Sequence, residues 1–423
     1  MNNFVFKIFS SFLLDRSIPK DVTIFSLVLL LIPIALITGP AIPDICLSLI
    51  GLYFLLKSII FKYWSYYRNP IVFGFLLFSL YGIIRSIFSE IPIDSLTHEG
   101  SVFYFRYIFF CMGVWYLLDQ NKYLTKCFLF IVIVCLIVVG LDGIYQYIRG
   151  INIMGFEKFS SNRLTGLFGD EPIIGRYIAY FSILAVALIY QNFQSSKFLP
   201  FYTIFILIFS LVITFLSGER SPLFYLIFFI IIIFIHLPIN KKLKISGLFI
   251  PIFLIFAFTQ INPNAKLRII DMTIQQVSET KFPFLPYSLH HEAHYISAIK
   301  MFNDKPLFGV GTNTFYKMCN KKKYKYNSLS CSSHPHNFYI QLLAELGIFG
   351  FLFILSFFGY ISFHLIKNFI TKNKYSSYDL TLFISILFIF WWPVIPHMSL
   401  YNNWNNVIIM LPLGFFMRYI YKN

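Results

Sequence analysis

The run CFLFIVIVCLIVVGL at residues 127–141 carries no charged side chain and lies inside a longer, mostly apolar stretch at 125–148. As a helix rising 1.5 Å per residue, a stretch of that length spans about 36 Å. That is enough to cross the roughly 30 Å hydrocarbon core of a bilayer. A transmembrane strand would be shorter and would alternate apolar with polar residues, which this run does not do. Comparable runs recur at 22–40, 42–61, 70–88, 101–118, 172–191, 199–217, 221–237, 245–260, 337–366, 379–396 and 402–420. The expectation is an all-α integral membrane protein of about twelve transmembrane helices. The organisation predicted is helices 1–9 over residues 1–261, a long loop with short helices over 262–336, and helices 10–12 over 337–423.

Composition agrees: the 423 residues are 58% hydrophobic and 20% aromatic but only 12% charged, too few charges to cover a water-facing surface. Orientation follows from Lys and Arg in the short loops. With the N-terminus inside, the inner segments hold seventeen and the short outer loops five, namely Arg85, Arg149, Lys158, Arg163 and Arg220. Both termini are therefore expected in the cytoplasm and the long loop outside. The first twenty residues do not read as a cleavable signal, since no small-residue cleavage site follows them. A net charge of +16 in this setting reads as attraction to anionic membrane lipids, and nucleic acid is not expected as a partner. The long loop has ten Lys/Arg against Asp271, Glu279, Glu292 and Asp304, so an anionic ligand outside is plausible.

Cys46, Cys111, Cys127 and Cys135 fall in or near apolar spans and read as packing residues. Cys319 and Cys331 share the long loop, where an oxidising periplasm would let them form a disulfide around KKKYKYNSLS.

Charged side chains inside spans are costly and point to function. Arg85, Arg106, Asp142 and Arg176 all fall within roughly 10 Å of the outer boundary on the predicted topology. For Arg85 a snorkelling role is an equal alternative. A polysaccharide exporter or flippase, the alternative from another class, needs polar groups along a path at the midplane. A cluster on one side fits an enzyme acting on a lipid-linked substrate of the outer leaflet.

Three outer segments add to it: NRLTGLFGDEP with Arg163, SGERSP with Arg220, and HPHN with His334, His336 and Asn337, preceded by DKPLFGVGTNTF. Guanidinium forks bind phosphate bidentately and stabilise a diphosphate leaving group. A neutral histidine can take the proton from an acceptor hydroxyl near pH 7. The lesser alternative for His334 and Asn337 is a helix cap, and for Arg220 a surface charge. HHEAH at 290–294 misses the HExxH zinc pattern by one residue, and no metal site is expected. His236 and His364 fall near inner helix ends and read as structural.

R-x-T-G before a mid-chain helix, a Gly-x-Arg-Ser turn, DKPLFGVGTNTF, and HPHN followed by Glu-Leu-Gly-x-x-Gly occur in that order from Arg163 to Gly350. This pattern resembles the O-antigen ligase and polymerase superfamily. The resemblance implies a glycosyltransferase-C-like membrane bundle in the bacterial inner membrane, with its active site facing the periplasm. It implies transfer of a glycan from undecaprenyl diphosphate to an acceptor hydroxyl, with no metal or other cofactor. The acceptor implied for a ligase is the lipid A–core. A polymerase, with a second lipid-linked glycan as acceptor, and a protein O-oligosaccharyltransferase share the donor motifs. The resemblance casts Arg163 and Arg220 as diphosphate ligands, with Arg176 and Arg106 as further candidates on the same side, and His336, with His334 beside it, as base. Glu219 departs from the pattern, which has a small or polar residue before the arginine.

Overall fold

The computed structural model describes residues 2–97, 101–236, 249, 252–253, 256–257, 259–260, 263–280, 288–371 and 378–421. Their regular elements are all helical, and β-structure among them is limited to the isolated bridges Ile151–Glu157 and Ser160–Arg163. The first group of helices is α1 (Asn2–Leu14), α2 (Lys20–Ala35), α3 (Ala41–Ile60), α4 (Pro70–Ile87), the short α5 (Pro92–Thr97), α6 (Arg106–Gln120) and α7 (Leu124–Arg149). Next come α8 (Ile174–Phe193), α9 (Leu199–Leu216) and α10 (Arg220–His236). The long connection carries α11 (Pro263–Lys266), a π-helical turn (Leu267–Asp271), α12 (Met272–Glu279), α13 (Leu289–Asp304) and α14 (Phe315–Met318). Helices α15 (Phe338–Thr371), α16 (Tyr378–Phe390) and α17 (Asn403–Tyr421) complete the chain.

Seven stretches among the described residues are long and apolar enough to cross a membrane: α3, α4, Pro92–Gln120, α7, α8, α9 and Phe338–Ile370 within α15. Two more apolar helices, α10 and α16, are shorter. The chain is an all-helical membrane protein. The expected spans at 22–40 and 402–420 correspond to α2, at 16 residues, and to α17, whose start carries Asn403, Asn405 and Asn406. The expected span 379–396 is helical only to Phe390, because Pro393 cannot continue a helix and restricts the residue before it. The expected span 245–260 falls largely outside the described residues, as do Lys241, Lys242, Lys244, Lys372, Lys374 and Lys422.

Helical periodicity separates the core from the outward surface. On α3, Ile45, Leu49, Leu52, Leu56 and Ile59 are exposed while Leu47, Ile50 and Phe54 are buried. An exposed apolar stripe of this kind is suited to lipid. Helix α8 is different: it is buried on nearly all sides and packs against α7, α9, α10 and α16, as an all-round apolar helix must. Its first turn therefore sits at the centre of the bundle's end, where the polar groups described below collect.

Helix α15 is broken at Gly347, which has φ 66° and ψ −158°. The break receives the segment 306–311. Ile348 N–H donates to the Pro306 carbonyl at 2.9 Å, while Val310 and Gly311 donate to the carbonyls of Ala344 and Glu345 at 3.0 and 2.9 Å. A Cβ on Gly347 would lie 2.4 Å from the Leu307 oxygen, so only glycine fits. The Glu345 carboxylate accepts the amides of Asn313 at 3.0 Å and Phe315 at 3.0 Å. DKPLFGVGTNTF and the Glu-Leu-Gly stretch are thus two halves of one latch between the long connection and the membrane helix.

Candidate functional site

The site is assembled on the turn between α9 and α10. Gly218 has φ +71°, and a Cβ there would lie 2.0 Å from the Asn162 carbonyl oxygen, so the turn packs directly on the segment before α8. Leu164 N–H donates to the Ser217 carbonyl at 3.3 Å across the same contact. This brings Arg163 and Arg220 to one place from positions 57 residues apart. Arg163 donates through Nη2 to the Pro172 carbonyl at 3.1 Å and stacks over Phe159, leaving its buried Nε without a partner. The Nε of Arg176, in the first turn of α8, is likewise buried without a partner.

Arg220 is held by the long connection. Its Nε and Nη2 donate to the Arg268 carbonyl at 3.1 and 2.9 Å, and its Nη1 to Gln276 Oε1 at 2.7 Å. The same stretch brings in Arg268, whose buried Nε has no partner and whose charge bears on Arg163 and Arg220. Arg268 escapes sequence reasoning because it sits in the long connection with no motif around it. Burial, with the neighbouring guanidinium charges, lowers the proton affinity of Arg163 and Arg268.

Glu219, 6% exposed, faces this group. Its Oε1 accepts the Gly175 amide at 2.6 Å, at the open N-terminus of α8. Burial pushes its carboxyl up to about 7, against the pull of Arg176 and Arg163.

HPHN supplies the other wall. Asn337 caps α15, its Oδ1 accepting from Tyr339 at 2.9 Å and Ile340 at 3.2 Å while its Nδ2 donates to the Pro393 carbonyl at 2.7 Å. His336 has φ 58°, a strained conformation for a non-glycine residue, and its carbonyl accepts the His397 amide at 2.8 Å. The His336 ring lies beside His334, His294 and His291, with centroids 4.2, 5.4 and 5.5 Å away. His334 is tied at both ring nitrogens: Nε2 to the His397 carbonyl at 3.1 Å and Nδ1 to Ser333 Oγ at 2.9 Å. A carbonyl can only accept, so Nε2 carries the proton and Nδ1 accepts from the hydroxyl. Neither ring nitrogen of His336 is engaged in a hydrogen bond among the described residues.

Electrostatics join the two walls. Burial comes first among the causes that hold His336 at about 4, followed by His291 and Arg176. His294 and His291 lie at about 4 for the same main reason, the latter also feeling Arg220. His334 is driven well below the usual histidine range and His397 to about 3, both by burial and with Arg176 contributing. All five rings are neutral near pH 7. Among the described residues no trio of His, Cys, Asp or Glu is placed to hold a metal.

Other candidates are engaged elsewhere. Arg106 pairs with Asp44 at 2.8 and 2.9 Å and donates to Asn403 Oδ1 at 2.8 Å, tying α3, α6 and α17 together. Arg85 donates to the carbonyls of Phe308, Gly309 and Phe88 at 2.6, 2.8 and 3.0 Å, bracing the latch segment. Asp142 accepts the Ile153 amide at 3.0 Å and supports the hairpin after α7. Cys319 and Cys331 are joined by a disulfide, their Cα atoms 5.3 Å apart. Around them Lys305 and Lys321 pair with Glu90, and Lys317 with Asp94 at 2.6 Å, holding the connection to α4 and α5.

Fold and site together define a polytopic helical membrane protein with four arginines and a histidine group converging beyond the start of its central helix. Residues 205–355 match the family described as O-antigen ligase, and over that stretch the chain is similar to the O-antigen ligase superfamily. The match takes in Arg220, Arg268, His334 and His336, while Arg163 and Arg176 precede it. Among curated proteins none matches the chain.

Proposed function

We propose that the protein is an O-antigen ligase of the bacterial inner membrane, transferring a glycan from undecaprenyl diphosphate to a hydroxyl of the lipid A–core at the periplasmic face. The observation that carries this is the convergence of Arg163, Arg176, Arg220 and Arg268 beside a histidine whose ring nitrogens have no hydrogen-bond partner among the described residues. A guanidinium group of this kind suits the diphosphate, and buried N–H groups without partners gain most from an anionic acceptor. A ring nitrogen of His336 takes the proton as the acceptor oxygen attacks the anomeric carbon. The bond from that carbon to the diphosphate breaks, and its electron pair leaves with a phosphate oxygen held by the arginines. Direct attack inverts the anomeric centre. His334 positions His336 rather than acting as base, since both of its nitrogens are occupied.

The test is glycan transfer by full-length protein in lipid vesicles. Arg163→Ala, Arg220→Ala and His336→Ala should each abolish transfer without lowering abundance in the membrane. Full activity in all three refutes the assignment. In cells, loss of all capped core on deletion marks a ligase, and core bearing a single repeat marks a polymerase instead.

A further inference from the structure

Glu219 puts a carboxylate into a group of arginines. Its placement is built rather than incidental: a Cβ on Gly175 would lie 2.3 Å from Ser217 Oγ and 2.9 Å from Glu219 Oε1, so a glycine is needed where the carboxylate meets the first amides of α8. The turn residue Ser217 returns a hydrogen bond from Glu219 N–H to its Oγ at 3.3 Å. The charged and titratable groups around it come from every neighbouring element. They are Arg163 from the segment before α8, Arg176 and Tyr180 from α8, Arg220 from the start of α10, and Arg268 from the π-helical turn. Yet no direct ion pair joins Glu219 to Arg163 or Arg176 among the described residues, and the Nε groups of both arginines remain without partners. The carboxylate lowers the net charge of the group without occupying its donors.

We propose that Glu219 is the resident counter-ion of the diphosphate site: its ionised form balances the arginines in the empty site and takes up one proton from solvent as a diphosphate-linked donor binds. This rests on the reading of the arginines as diphosphate ligands. The physical cause is like-charge repulsion: a diphosphate diester adds two negative charges beside a buried carboxylate, which raises the carboxylate's affinity for a proton. When the diphosphate leaves, the proton is released and the carboxylate again balances the arginines. Glu219, already near 7 in the empty site, is poised for this exchange, while His291, His294 and His336, near 4, stay neutral between pH 6 and 8. Linkage then makes donor binding roughly tenfold weaker at pH 8 than at pH 6.

The experiment measures binding of a farnesyl diphosphate–N-acetylglucosamine conjugate to full-length protein in nanodiscs at pH 6 and pH 8. Both phosphates of this probe are diesters, so its own charge is constant across that range. Wild type should bind about tenfold more weakly at pH 8. Glu219→Gln, which keeps the acceptor for the Gly175 amide, should bind equally at both pH values and about tenfold more tightly than wild type at pH 8. A wild type without the pH step, or a Glu219→Gln variant that keeps it, overturns the proposal. Arg163→Ala should lose binding at both pH values. Undiminished binding by Arg163→Ala, or no binding of the probe by wild type, overturns the reading of the arginine group itself.

Discussion

Replacing Glu345 by Ala isolates the latch. Its two oxygens accept the amides of Asn313 and Phe315 at 3.0 Å each, and both donors are buried, at 5% and 0% exposure. Removing the acceptor leaves two buried N–H groups unsatisfied, at about 1–3 kcal/mol each. Water entering the vacated polar space offsets the upper part of that range, so a loss of about 2–4 kcal/mol is expected. Glu345→Gln keeps one oxygen and should lose about half as much. The effect should reach the site, because Gln341 bridges Glu345, at 3.4 Å, to Ser399 Oγ at 3.1 Å and the Leu400 amide at 3.1 Å. That loop also carries His397, whose amide holds the His336 carbonyl at 2.8 Å. The assay is denaturant unfolding in mixed micelles, followed by tryptophan fluorescence, with glycan transfer measured in parallel. A Glu345→Ala protein within about 0.5 kcal/mol of wild type would refute the argument.

Two further outcomes are expected. Because burial and the neighbouring charges hold His336 near 4, its neutral form persists as pH falls below the usual histidine range. The acid limb of kcat/KM should then have its midpoint near pH 4, and a midpoint near 6.5 would exclude His336 as the titrating base. Reduction of the Cys319–Cys331 disulfide, or Cys319→Ser, should cost up to about 3 kcal/mol in the same unfolding assay. No change on adding reductant would mean that the bridge does not constrain the unfolded chain.

Helical membrane architecture is legible in the sequence because hydropathy is a property of consecutive residues: 125–148 reads as a span without reference to anything else in the chain. The latch is half legible. DKPLFGVGTNTF and the Glu-Leu-Gly stretch are visible as motifs, but that Gly347 breaks the helix to admit Leu307 requires the two segments to be brought together. Charge depth was a weaker guide. It grouped Arg85 and Arg106 with Arg176 because all three lie toward one boundary, yet Arg85 braces a backbone and Arg106 pairs with Asp44.

By itself, then, the sequence determined a helical membrane protein and the short segments bearing Arg163, Arg220 and HPHN, since each is a local pattern of residue type and spacing. Only the tertiary structure decided which charges meet. Arg268 joins the group through the fold of the long connection, and Glu219 reaches the Gly175 amide in the first turn of α8 because Gly175 leaves room for it. His334 is distinguished from His336 by a partner 63 residues away in the chain, the His397 carbonyl. Depth in a membrane is set by position along one helix, whereas convergence depends on packing between helices, and that is where the site was made.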